Sequence, residues 1–293
     1  MPLSSRLVGA SSVPVTTDVD ARWTMAYAAG LGDAAPCYFD TRRTDGVVAH
    51  PLFPVCVEWP LVVDARYLPD DGALTPAERM RGVHATHDLI VHRLVRAGDR
   101  LTTRLTIVGV ERRTPGAYQL TRLETTDASG APVCTTWMGA LYRGVDVDGP
   151  DQPAADAPPL PAPMESTAPA RAEFRVPIAA TAAHVYTECA RIWNPIHTDA
   201  AFAAAAGLPA IILHGTATLA LAVSRVIDAE ASGDPARVRR IAGRFGAMVF
   251  MPSEIAVRIL SRTPTDGGDQ VRFEVCNAAG ERAVRDGLVV LNG

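Results

Sequence analysis

Several features that would announce a function class are missing from this 293-residue sequence. The N-terminal MPLSSRLVGASSVPV has no apolar core and no small-residue cleavage site, and nowhere do about 18 apolar residues run together without charge. Neither a secretory leader nor a membrane-spanning helix is therefore expected. Five scattered cysteines (Cys37, Cys56, Cys134, Cys189, Cys276) form no CxxC pair and no even framework, which argues against a disulfide scaffold and for buried thiols in the cytoplasm. Positive charge is not in excess: a net charge of -4 and a pI near 6.0 give no electrostatic ground for nucleic acid or an anionic membrane as partner. GxGxxG and GxxxxGK[ST] are absent, so a nucleotide cofactor has no support.

What is present is enough apolar material, 48% against 20% charged, for at least one full core, and a length that favours two domains. Between Pro150 and Pro169, seven prolines in PDQPAADAPPLPAPMESTAP block helix and sheet ladders, which marks an extended linker. The expected organisation is a first domain over 1–147, a linker over 148–171 and a second domain over 172–293. The halves resemble each other. Tyr27 to Asp40, YAAGLGDAAPCYFD, lies without gaps on Tyr186 to Asp199, YTECARIWNPIHTD, and tyrosine, proline and aspartate coincide. A histidine loop follows each segment, with His50 in GVVAHPLFP and His214 in AIILHGTAT, then an apolar helical run, then strands.

The run GTATLALAVSRVIDAEASG is apolar almost all round and free of proline, the pattern of a buried central helix. Its first-half equivalent, PVCVEWPLVVDARYL, contains Pro60, so that helix should be kinked or start late. Alternating and β-branched segments separated by turn signals follow in each half. Each half thus reads as α+β, an antiparallel sheet wrapped around a long central helix.

WNPIHTDAAFAAAAGLPAIILHGTATLALA resembles the core motif of the MaoC-like (R)-specific enoyl-thioester hydratases and dehydratases: Asp-x-Asn-Pro-x-His, a segment of alanines and glycine, then His-Gly and a buried helix. The resemblance extends over nearly the whole chain and implies a double hotdog, two sheets each with its own helix, as a pseudo-dimer within one chain open to homo- or hetero-oligomer formation. It also implies an acyl thioester of coenzyme A or a carrier protein as substrate, with no cofactor and no metal. By resemblance, the acid/base pair belongs to the Asp-x-Asn-Pro-x-His segment, and a backbone amide at the start of the central helix, here Gly215, holds the enolate-like oxygen. A helix N-terminus supplies unpaired N–H groups and a favourable dipole for that charge.

His197 is the first candidate for proton transfer, because an imidazole gives and takes protons near neutrality. Asn194 is expected to hold the segment or a water, and Pro195 to fix the turn. His214 is as readily a structural residue as a catalytic one. The motif departs from the family at one point: the aspartate two residues before Asn194 is Ile192, preceded by Arg191 instead of glycine. Ile192 and Trp193 then count as substrate-contact positions, together with Gly215 and His214. The first half keeps Gly32-Asp33 but has Tyr38 and Ala35 at the histidine and asparagine positions. Glu188, four residues before Ile192 in YTECARIW, would share a helical face with it and is the local substitute for the carboxylate, weighed against an ordinary solvated glutamate. Asp199 reads as a helix cap.

Glu58, beside Trp59 and Pro60, reads as a residue at a bend or helix end, which makes thioester hydrolysis the weaker enzyme class. On a regular strand His84 and His92 of GVHATHDLIVHRL would share a face about 26 Å apart with His87 turned away, which argues against a metal site. Arg93, Arg96, Arg100 and Arg104, and Arg237, Arg239, Arg240 and Arg244, are either solvated strand ends or phosphate contacts for the carrier. The leading expectation is a hydratase or dehydratase. Because of Ile192, two alternatives stand beside it: an altered isomerase or cyclase acting on a conjugated acyl group, and a non-catalytic acyl-binding partner subunit.

Overall fold

The computed structural model describes residues 2–63, 74–164 and 169–293. The first half runs β1 (Leu3–Ser4), β2 (Val15–Asp18), α1 (Ala21–Gly30), α2 (Pro36–Phe39), α3 (Pro54–Val63), α4 (Pro76–Arg79), β3 (Gly82–Val91), β4 (Arg100–Arg113), β5 (Gly116–Thr126), β6 (Pro132–Arg143) and β7 (Val147–Asp148). The second runs β8 (Ala172–Ile178), α5 (Ala182–Ala190), α6 (Ala200–Ala205), α7 (Gly215–Glu230), β9 (Val238–Phe245), β10 (Ser253–Thr263), β11 (Asp269–Cys276) and β12 (Arg282–Leu291).

Ten of the strands form one sheet in the order β2-β4-β5-β6-β3-β9-β12-β11-β10-β8. Read inward from either edge, the order is the same, β2-β4-β5-β6-β3 against β8-β10-β11-β12-β9, so the internal duplication of the sequence is a duplication of topology. The expected α+β double hotdog is present, and its two sheets are continuous: β3 and β9 pair antiparallel over Thr86↔Arg244 to Ile90↔Arg240. Two buried inner strands left unpaired at the junction would strand their N–H and C=O groups, and pairing them removes that cost. Arg240 clamps the seam, donating to both oxygens of the buried Asp88 at 2.8 and 2.6 Å and to the Pro159 carbonyl at 2.8 Å.

α7 is the central helix of the second half. Leu219, Val223, Val226 and Ile227 are fully or almost fully buried, in one cluster with Val271, Phe273 and Val275 of β11. Each such side chain contributes about 1.5–3 kcal/mol on burial. The helix stops where Ser232 and Gly233 adopt positive φ values of 56° and 73°. α3 continues through Pro60, and the part of that run beyond Val63 lies outside the described residues. The proline-rich stretch up to Met164 forms no helix or strand after β7, but it is tied to the sheet by Gln152 against Val110, Arg122 to Asp156, Arg272 to the Ala162 carbonyl and Met164 N–H to Asp286.

α1 and α5 pack together as equivalents. Tyr27 and Tyr186 bring their hydroxyls to 3.3 Å; Tyr27 donates to the Leu52 carbonyl and Tyr186 to the Thr216 hydroxyl, each two residues beyond a loop histidine. After each helix the chain turns through a left-handed residue, Gly32 at φ 68° in the first half and Arg191 at φ 58° in the second. A side chain there costs about 1 kcal/mol relative to glycine. The Arg191 guanidinium lies 4.0 Å from the Trp23 ring centroid, a cation–π contact that offsets part of the strain.

Candidate active site

The segment after α5 is shaped by its own polar groups. Asn194 Oδ1 accepts from the Ile196 N–H at 3.3 Å and caps a short 3-10 turn, Pro195–His197. Asp199 accepts from the N–H groups of Ala201 and Phe202 at 2.8 and 3.0 Å and caps α6, as its position suggested. Between these caps His197 turns inward. Its Nδ1–H donates to the Ile212 carbonyl at 2.8 Å, which fixes the tautomer and leaves Nε2 as the free basic nitrogen.

His197 stacks on His214, with centroids 3.6 Å apart and planes 25° from parallel. His214 is 2% exposed and joins Thr187 of α5 through Nε2 at 3.2 Å. Burial lowers the His197 pKa to about 4, against a smaller lift from the Ile212 carbonyl. It lowers His214 to about 2, helped by the neighbouring imidazole and opposed by the Ile192 backbone. Both rings are therefore neutral near pH 7. No carboxylate hydrogen-bonds to either ring among the described residues, and none contributes to either shift.

Gly215 opens α7, and the His214 side chain makes no capping bond to it. A Cβ at residue 215 would meet the Phe245 ring at 3.0 Å, so glycine lets this backbone approach the aromatic beneath it. Ile192, where the family carries its carboxylate, is 3% exposed. Glu188 does not stand in for it. α5 ends at Ala190, the left-handed Arg191 reverses the chain, and the i, i+4 relation is broken. Ile192 turns into the core and Glu188 stays exposed. Glu188, Trp193 and Asn194 line an open groove of about 370 Å³ on the outer side of the segment, with neither His197 nor His214 in its wall. Trp193 is 59% exposed.

The equivalent place in the first half is occupied differently. Leu52 N–H donates to His50 Nδ1 at 3.1 Å, so Nε2 carries the proton and donates to the Ser224 hydroxyl at 3.2 Å. Ser224 donates in turn to Asp33 Oδ2 at 2.7 Å. The first-half carboxylate is thus spent on α7 of the second half and makes no contact with His197. Counted from His50 and His214, Ser224 corresponds to Pro60 of α3. Ser224 gave no sequence signal, because its partner lies 191 residues away.

Two other expectations change. Glu58 is no helix-end residue: it sits inside α3, 3% exposed, accepts from the Thr136 hydroxyl at 2.6 Å, and burial raises its pKa to about 7. His84 and His87 share a face, because the register of β3 against β6 slips at Ala85 and returns His84 to the side of His87, with ring centroids 5.4 Å apart. No group of three or more potential metal ligands occurs among the described residues. Several arginines are already engaged: Arg93 with Asp99 and Asp127, Arg100 with Asp18, Arg240 with Asp88 and Arg244 with Asp286.

Comparison with known proteins agrees with this architecture. A profile for the MaoC like domain matches residues 164–281, and one for the FAS1-like dehydratase domain region matches residues 6–136. The chain belongs to the MaoC-like and FAS1-like dehydratase family of double hotdog proteins. A MaoC-like dehydratase from Phytophthora capsici superposes with a TM-score of 0.83 at 21% identity, over 98% of this chain and 97% of that one. A conserved hypothetical protein from Mycobacterium tuberculosis with a double hotdog fold superposes with a TM-score of 0.64 at 17% identity, over 97% and 96%.

In sequence, the chain is similar to the peroxisomal enoyl-CoA hydratase 2 of Arabidopsis thaliana, 45% identical over 65 residues, and to the enoyl-CoA hydratase ChsH3 of M. tuberculosis, 33% identical over 100 residues. The matched segments cover 22% and 34% of this chain and only 21% and 32% of those relatives. No helix among the described residues is long and apolar enough to cross a membrane.

Proposed function

We propose that the chain is a hydro-lyase that interconverts trans-2-enoyl and 3-hydroxyacyl thioesters of coenzyme A or a carrier protein, with its site in the second half. The observation that carries this reading is the placing of a neutral His197, its Nε2 free, beside the uncapped N-terminus of α7 at Gly215. In the hydration direction, Nε2 takes a proton from water as the oxygen bonds to C3. The C2–C3 π electrons then move toward the thioester carbonyl, whose oxygen gains charge opposite the Gly215 N–H, and the imidazolium returns the proton to C2. The product differs from the substrate by one water. A buried neutral imidazole is suited to the first step, and preorganised helix N–H groups to the second. Asn194 and Pro195 position the histidine, and His214 packs against it.

The two sequence relatives named as enoyl-CoA hydratases support this reading. Residues 1–147 and 172–293 serve as the two hotdog units joined by 148–171, and the free cysteines fit a cytoplasmic setting. One observation favours a second reading: Ile192 replaces the carboxylate, and no other carboxylate among the described residues hydrogen-bonds to His197 or shifts its pKa. In that case the histidine alone moves a proton within a conjugated acyl group, or a partner subunit supplies the missing acid.

The test is to incubate the full chain with trans-2-enoyl thioesters of several lengths and follow both the enoyl absorbance and the product mass. Hydration adds the mass of water and is lost in His197→Ala. Unchanged mass with altered absorbance gives isomerisation instead. Inactivity at every length, or full activity in His197→Ala, overturns the hydro-lyase reading.

A further inference from the structure

Beneath the start of α7 lies a polar pair that the chemistry above does not use. Phe245 supports Gly215 from below, and its ring meets His84 edge-on at a centroid distance of 4.7 Å. His84 stands 5.4 Å from His87. The bulge at Ala85 turns both rings to the face of the sheet that carries Leu89 of the core. Across the seam from His87 is Gly243, where a Cβ would meet Val284 of β12 at 3.1 Å and Leu219 of α7 at 3.9 Å. Gly215, Phe245 and His84 keep partial exposure although they lie between helix and sheet, and the contacts from Gly215 through Phe245 to His84 link the pair to the helix terminus.

His87 is the more deeply buried of the two. It is 1% exposed, and neither of its ring nitrogens has a hydrogen-bond partner; Nε2 of His84 has none either. Buried polar groups are almost always paired, and apolar residues would close an apolar pocket better. A saturated hydrocarbon tail would leave these nitrogens unpaired. A carboxylate tail would bring a buried charge to imidazoles that burial keeps neutral, with no cation among the described residues acting on either ring to compensate it. A metal ion would find two imidazoles and no third ligand among the described residues. A hydroxyl donates and accepts at once, as a neutral imidazole does, and a keto oxygen accepts from its N–H.

We infer that an acyl chain held at Gly215 passes between the start of α7 and the sheet, and that His84 and His87 form the polar end of its path and select thioesters whose acyl group carries a hydroxyl or keto oxygen several carbons beyond the reacting pair. The inference rests on the acyl-thioester reading of the Gly215 site. It also assigns His87 a specificity role that a merely structural histidine would not have.

The experiment uses saturated, unreactive acyl-coenzyme A ligands of one length, with no oxygen or with a hydroxyl at successive positions, titrated calorimetrically into the full chain. One position is expected to bind roughly 10-fold more tightly than the plain chain, the worth of about one hydrogen bond. His87→Leu should abolish that preference while binding the plain chain at least as well, and His87→Gln, which keeps a donor and an acceptor, should retain part of it. The ring-nitrogen NMR signals of His87 in the unaltered protein should shift with the preferred ligand only, a readout that holds even where a variant fails to fold. Equal binding of all ligands, or an unchanged preference in His87→Leu, overturns this inference and leaves the hydro-lyase reading standing. Failure to bind any acyl thioester overturns both.

Discussion

Lowering the pH from about 7 to about 5.5 bears on five of the seven histidines at once. Burial holds His50, His84 and His197 down to about 4, His214 to about 2, and His87 well below its ordinary value. All five are neutral in the fold and free to protonate in the unfolded chain, so the unfolded state binds more protons once the pH passes below about 6.5. Their contribution is fully present above that value and declines until the folded pKa values are reached. Over this interval each histidine costs about 1 kcal/mol. Glu58 runs the other way: with its folded pKa raised to about 7, the penalty for burying its charge shrinks as it protonates, returning about 1.5 kcal/mol. The net loss is about 4 kcal/mol, a large part of the roughly 5–15 kcal/mol available to a folded domain. Urea unfolding at half-unit steps of pH, followed by tryptophan fluorescence, should show the midpoint falling steeply below pH 6.5, long before ordinary carboxylates titrate. A midpoint that stays level or rises down to pH 5.5 would refute the claim that these imidazoles are buried neutral.

Ser224→Ala should destabilise the chain by about 2–4 kcal/mol, since it leaves the His50 Nε2–H and the Asp33 carboxylate without their shared partner; chemical denaturation measures this, and a loss under 0.5 kcal/mol would contradict it. Ile192→Asp should cost about 1–3 kcal/mol at neutral pH, and, because burial raises the folded-state pKa of the new carboxyl, the cost should shrink as the pH falls through that raised value toward about 4, below which the carboxyl is neutral in both states. Pairing that change with Pro60→Ser should recover part of the stability and raise the hydration rate above that of Ile192→Asp alone, which parallel melts and enoyl-thioester assays can check.

The parts of the site that could be read in the sequence are those built from neighbours. Asn194, Pro195 and His197 lie within four positions, and their turn follows from a cap and a fixed φ. The start of α7 was legible because a long apolar run follows His214 and Gly215. Parts that depend on distant pairing were not. The slip at Ala85 breaks the period of two on which the separation of His84 from His87 was argued, and nothing in GVHATHDLIV marks it. At Glu58 the sequence misleads because Pro60 suggests an ending, whereas α3 passes through it. Joining the two sheets depends on β3 meeting β9, a pairing between segments some 150 residues apart that alternation within either strand does not specify.

The two halves answer the opening for a carboxylate in opposite ways, and the central helices account for the difference. Asp33 has a hydroxyl to receive because α7 carries Ser224 at that height, and the same hydroxyl satisfies His50. At the corresponding height α3 carries Pro60, which has neither a side-chain hydroxyl nor an N–H. A carboxylate at position 192 would therefore enter the core without the partner its first-half equivalent enjoys, and an unpaired buried charge is costly. Isoleucine fills that volume without the debt, but it removes the group that would share proton transfer with His197. The substitution is thus coupled to the proline seen from the other half, and any restoration of the carboxylate has to supply a donor on α3 as well.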